Sequence, residues 1–156
     1  MCAVAASVLS LGYAGASSGA ASCPPREPHL LVPTSKGPRL LVRPSAASVL
    51  LCRYRGLNPQ ATALRLRSSR LISERAELAP IVTALNGLPT ATSGFHRPMD
   101  DGSAILLRFF YAHAAVTAVR VGLTGCRTVT GPYLPLRTAV SPAGARLISK
   151  LERLLP

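Results

Sequence analysis

Twice between Ser48 and Leu71, apolar and basic side chains alternate with a period of two, a pattern that only an extended chain turns into two distinct faces. In the first run Leu50, Cys52 and Tyr54 share one face, and Leu51, Arg53 and Arg55 share the other. In the second, Ala63 to Leu71, Leu64 and Leu66 point inward while Arg65 and Arg67 point outward. Between them Gly56-Leu-Asn-Pro59 signals a turn, so the two runs are expected to form a β-hairpin with Arg53, Arg55, Arg65 and Arg67 on one face.

The remaining pattern extends this hairpin into an α+β fold. Leu78, Ile81, Val82 and Leu85 recur at helical spacing and stop at Asn86-Gly87. Ser73 is the expected cap, with Glu74 and Glu77 near the positive helix end, and Pro80 forces either a kink or a later start near Ala79. Strands are expected over Ala104–Tyr111, Val116–Val121 and Cys126–Thr130. Ser141-Pro142 opens a last helix whose stripe is Leu147, Ile148, Leu151, Leu154 and Leu155. The order β-β-α-β-β-β-α predicts an antiparallel sheet of about five strands, with helices packed on one face and the single domain spanning 48–156.

The first 22 residues carry no Asp, Glu, Lys or Arg. Ala3–Leu11 is a short apolar run followed by small polar residues, the order of a signal peptide, and it is too short to span a bilayer. No basic residue precedes the run. Ala14-Gly15-Ala16 and Ala20-Ala21-Ser22 are both small-x-small cleavage sites, and the second leaves Cys23 as the first mature residue, where a lipoprotein would carry its lipid. Residues 23–47 follow as a Pro-rich extended tether, with Pro24, Pro25, Pro28, Pro33, Pro38 and Pro44 in 24–44. Its patches Leu30–Val32 and Leu40–Val42 are apolar enough to lie along the domain.

Export implies an oxidising compartment, where cysteines pair. Cys23, Cys52 and Cys126 remain after removal of the leader. A Cys52–Cys126 bridge would close 74 residues and stabilise by about 4 kcal/mol. Cys23 is then left for lipidation, or for a Cys23–Cys52 alternative.

Leu51-Cys52-Arg53-Tyr54, Leu85-Asn86-Gly87-Leu88-Pro89, Pro98-Met99-Asp100-Asp101-Gly102 and Gly125-Cys126-Arg127 together resemble a group of uncharacterised actinobacterial exported proteins over residues 23–131. In that pattern a cysteine precedes the proline matched by Pro98; here Arg97 stands in its place. The same order of elements is more faintly similar to the bacterial subtilisin-inhibitor scaffold. That likeness implies an exposed protease-binding loop at Phe95–Met99, without the disulfides that stiffen it there.

The charge balance is 18 Lys+Arg against 6 Asp+Glu, or +12, and it favours anionic partners. The candidates are an anionic envelope polymer or lipid headgroups; nucleic acid fits poorly, because aromatic residues are 4% of the chain and Trp is absent. The arginine face of the hairpin, joined by Arg108 and Arg120 on neighbouring strands, is the binding candidate, with forked hydrogen bonds to phosphate or carboxylate. The same arginines would also serve as a solvated face in an Arg-biased proteome. His29, His96 and His113 lack the spacing of a zinc site, and no cofactor motif is present. Asp100, Asp101 and His96 are the residues an enzyme would use, although Asp-Asp-Gly-Ser is also a turn sequence. The expected protein is a non-enzymatic, exported or surface-tethered accessory domain, with a subtilisin-type protease inhibitor acting on a secreted protease as the alternative.

Overall fold

A computed structural model describes residues 21–28, 40–56, 65–91, 100–132 and 135–155. Along the chain lie β1 (Ser48–Tyr54), β2 (Leu66–Ile72), α1 (Arg75–Asn86), β3 (Ala104–Phe110), β4 (Thr117–Gly122), β5 (Thr128–Thr130), β6 (Arg137–Thr138) and α2 (Pro142–Arg153). Among these residues the strands form a six-stranded antiparallel sheet in the order β2-β1-β3-β4-β5-β6. The fold is α+β, as the pattern predicts, with one strand more than the expected five. The added strand is β6, a two-residue segment that pairs Thr138 with Thr128 and Arg137 with Val129.

The sheet buries both faces near its centre. One face presents Val49 and Leu51 of β1, Ile105, Leu107 and Phe109 of β3, and Val119 and Val121 of β4. Both helices cover it, α1 with Leu78, Ile81, Val82 and Leu85, and α2 with Leu147, Ile148 and Leu151. Each such side chain taken fully out of water contributes about 1.5–3 kcal/mol, so this face carries most of the stability. The opposite face is a smaller core of Leu50, Cys52, Tyr54 and Leu106, edged by Cys23, Leu66, Phe110 and Ala118. Burial on both sides explains why Val49–Cys52 and Ala104–Leu107 are continuous apolar runs rather than clean alternations.

Local chemistry sets the helix ends. Ser141 is the N-cap of α2, its Oγ accepting from the Gly144 amide at 3.2 Å, and Pro142 occupies the first turn. Lys150 and Arg153 lie in the last turn, where cations offset the helix dipole. In α1 the N-cap is Glu74 rather than Ser73, and no side chain caps it. Pro80 sits within α1, which continues to Asn86; the four buried apolar residues hold it on the sheet despite the missing hydrogen bond.

Both described ends of segment 23–47 are held on the domain. Leu41 and Val42 are buried in the larger core. The Asn86 side chain clamps Val42, its Nδ2 donating to the carbonyl at 2.8 Å and its Oδ1 accepting from the amide at 3.0 Å. The expected leader, 1–22, lies outside the described residues up to residue 20.

Candidate functional site

Residues 22–27 form a strap across the smaller core. Cys23 is joined to Cys52 by a disulfide with Cα atoms 5.7 Å apart, closing a separation of 29 residues. The Tyr54 hydroxyl donates to the Pro24 carbonyl at 2.9 Å, and the Leu66 amide donates to the Pro25 carbonyl at 3.1 Å. Arg120 Nε meets Glu27 Oε1 at 2.6 Å, with both side chains largely buried. Arg108 donates to the Ser22 carbonyl at 2.6 Å and lies over the Phe110 ring. Burial pushes the Tyr54 hydroxyl up to about 12; the Glu27 carboxylate adds to the rise and Arg108 opposes it.

This strap corrects the expected Cys52–Cys126 bridge. Cys52 sits in β1 on the strap face, whereas Cys126 lies in the turn between β4 and β5. At least two strand spacings, roughly 10 Å, separate those positions across the sheet. Bridged Cα atoms lie within about 7 Å, so Cys23 is the cysteine that reaches Cys52. The Cys23 sulfur in this disulfide has no valence left for a thioether, so the crosslink and lipidation of Cys23 exclude each other.

The arginine face assembles in part. Arg53, Arg55 and Arg67 line one open cavity of about 350 Å³. Tyr54, Gly56, Asp101 and Ser103 complete its walls. Arg65 does not line it; this exposed residue is bridged to Arg26 of the strap. Arg108 and Arg120 do not join the other arginines. Arg108 is registered opposite Leu50 and Arg120 opposite Leu106, which puts both on the strap face. Arg53 points the other way and donates to Glu152 of α2 at 3.0 Å. Among the described residues the Arg55 and Arg67 guanidinium groups make no hydrogen bond or ion pair.

The opposite wall is the Asp-Asp-Gly-Ser turn. Asp100 Oδ1 accepts from the Gly102 amide at 2.8 Å. Asp101 Oδ1 accepts from the Ser103 amide at 2.8 Å, the Ser103 hydroxyl at 2.5 Å and the Thr124 hydroxyl at 2.6 Å. The Ser103 and Thr124 hydroxyls, in that order, hold the Asp101 carboxyl below its ordinary range and so keep it charged. No hydrogen bond reaches Asp101 Oδ2 from the described residues. Gly56 lets this turn approach the end of β1: a Cβ there would stand 2.1 Å from the Asp101 carbonyl oxygen. Ser103 and Gly56 are lining residues with no site role expected from the sequence, and Asp101, expected there as an enzyme's carboxylate or as part of a turn, stands beside the arginines instead. The register Tyr54 opposite Ala104 brings Arg55 and Gly56 beside Asp101–Ser103, and no local sequence signal encodes that pairing.

His113 is exposed in the β3–β4 turn, away from Asp101. His29, His96 and the whole Phe95–Met99 segment lie outside the described residues. Within the described residues no group of three or more His, Cys, Asp or Glu side chains could hold a metal ion, and no helix is long and apolar enough to cross a membrane. Comparison with protein-family models, curated proteins and solved structures finds no match to the chain.

Proposed function

We propose that the chain is an exported or surface-tethered accessory domain without catalytic activity, which binds an anionic envelope polymer through Arg53, Arg55 and Arg67. The observation that carries this is the single cavity these three arginines share, with Arg55 and Arg67 unpaired among the described residues. Guanidinium groups without a carboxylate partner keep all their donors for a ligand, and forked hydrogen bonds to phosphate or carboxylate are the strong kind. Export is supported by the uncharged apolar leader and is compatible with the Cys23–Cys52 disulfide. That disulfide favours a secreted mature protein over one lipidated at Cys23.

The test is binding of the oxidised protein to a soluble anionic polymer, measured against salt. Screening shortens from roughly 10 Å at 0.1 M to 3 Å at 1 M, so affinity should fall steeply across that range. Replacing Arg55 and Arg67 with Ser should remove most of the binding. Unchanged affinity in that double variant ends the proposal.

A further inference from the structure

The cavity at the end of β1 is not a uniformly cationic surface. Its volume, about 350 Å³, lies within the range of small-molecule sites, roughly 300–1,000 Å³. That is more room than a bare inorganic ion needs. On one wall stand Arg55 and Arg67, whose guanidinium groups make no hydrogen bond or ion pair among the described residues. On the other stands Asp101, whose Oδ1 is fully occupied by three hydrogen bonds and whose Oδ2 accepts none among the described residues. The Ser103 amide and hydroxyl, together with the Thr124 hydroxyl that also stands 2.9 Å from Asp100 Oδ1, fix the orientation of this carboxylate. A ligand that is only an anion would be held by the arginines and repelled by Asp101. One that carries a hydroxyl beside its anion satisfies both walls, because the hydroxyl donates to Oδ2 while the anion accepts from the guanidinium groups.

We infer that the cavity selects a phosphate ester of a polyol, with the phosphate on Arg55 and Arg67 and a neighbouring free hydroxyl on Asp101. The inference rests on the anion-binding function proposed above and names its ligand class. Phosphate is favoured over carboxylate because two separate guanidinium groups, from β2 and from the end of β1, can each take different oxygens of one tetrahedral group. A phosphate ester with a neighbouring free hydroxyl occurs, as a phosphodiester, both in a glycerol phosphate polymer and in the headgroup of phosphatidylglycerol.

The experiment compares glycerol 1-phosphate with methyl phosphate by calorimetry on the oxidised full chain. The unmodified protein should bind glycerol 1-phosphate roughly tenfold more tightly, the effect of about one hydrogen bond to a charged group. Asp101→Asn keeps an Oδ1 acceptor for the Ser103 and Thr124 donors but turns Oδ2 into a donor. It should abolish the preference while leaving methyl phosphate bound at least as well. Equal affinity of the unmodified protein for both esters, with binding still lost in the Arg55→Ser/Arg67→Ser variant, overturns polyol selection and leaves the anion-binding function standing. Binding of neither ester overturns selection together with that function. Soluble poly(glycerol phosphate) and phosphatidylglycerol vesicles then separate the two sources: binding to the polymer alone supports a wall-type ligand, and binding to the vesicles alone supports a lipid headgroup.

Discussion

Removing the Cys23–Cys52 crosslink should cost a large part of the stability of this domain. The bridge spans 29 residues, and the loop-entropy relation assigns such a closure about 3.6 kcal/mol. A typical domain is stable by only about 5–15 kcal/mol. For a chain of this size the loss corresponds to a fall in melting temperature of roughly 7–14 °C. Cys23→Ser is the preferred perturbation, because Cys52 is fully buried whereas Cys23 is half-buried. Two readouts separate the parts of the effect. Urea unfolding of the oxidised protein, the reduced protein and the variant measures the total. Hydrogen exchange at the Leu66 amide, which donates to Pro25, reports whether the strap leaves the sheet. Reduced and oxidised proteins that unfold at the same urea concentration would refute the assigned pairing, as would a peptide map joining Cys52 to Cys126.

Other perturbations follow from the same geometry. Gly56→Ala places a methyl group against the backbone of the Asp101 turn and should destabilise by about 1–3 kcal/mol in urea unfolding, with weaker phosphate binding alongside. Tyr54 keeps its proton to higher pH when folded, so its contribution to stability is complete below the unfolded value near 10 and is lost as pH rises toward about 12. The loss is on the order of 3 kcal/mol and should be missing from the alkaline unfolding profile of Tyr54→Phe. Arg120→Met leaves the largely buried Glu27 carboxylate unpaired and should destabilise more than Glu27→Gln, which keeps an acceptor for Arg120; thermal melts of the two variants decide the order.

Much of the architecture was legible because strand and helix periods are local. β1, β3, β4 and α2 fall within a few residues of their expected bounds, and Ser141-Pro142 starts α2 as its capping chemistry predicts. β6 was not legible. Arg137–Thr138 is too short for a period, and its pairing with β5 is set from outside the segment. The site was half legible for a related reason. A period of two assigns side chains to faces within one strand, but the relative phase of two strands depends on register. Arg53 and Arg55 therefore share a face as read, while Arg108 and Arg120 were placed with them and lie on the other side. Spacing was equally silent on the disulfide. Separations of 29 and 74 residues both close easily, and only the position of Cys126 beyond β4 decides between them.

The central claim is a basic domain, freed of its leader and cross-linked by its own N-terminal strap in an oxidising space. Intact mass and peptide mapping of the protein recovered from its host, with and without reductant, test it most directly. The expected species lacks Met1, begins at or before Cys23, carries no lipid, and gives a single Cys23–Cys52 cross-linked peptide that reductant separates. A chain that retains Met1 with Cys23 and Cys52 both as thiols would contradict it, and so would a lipid on Cys23.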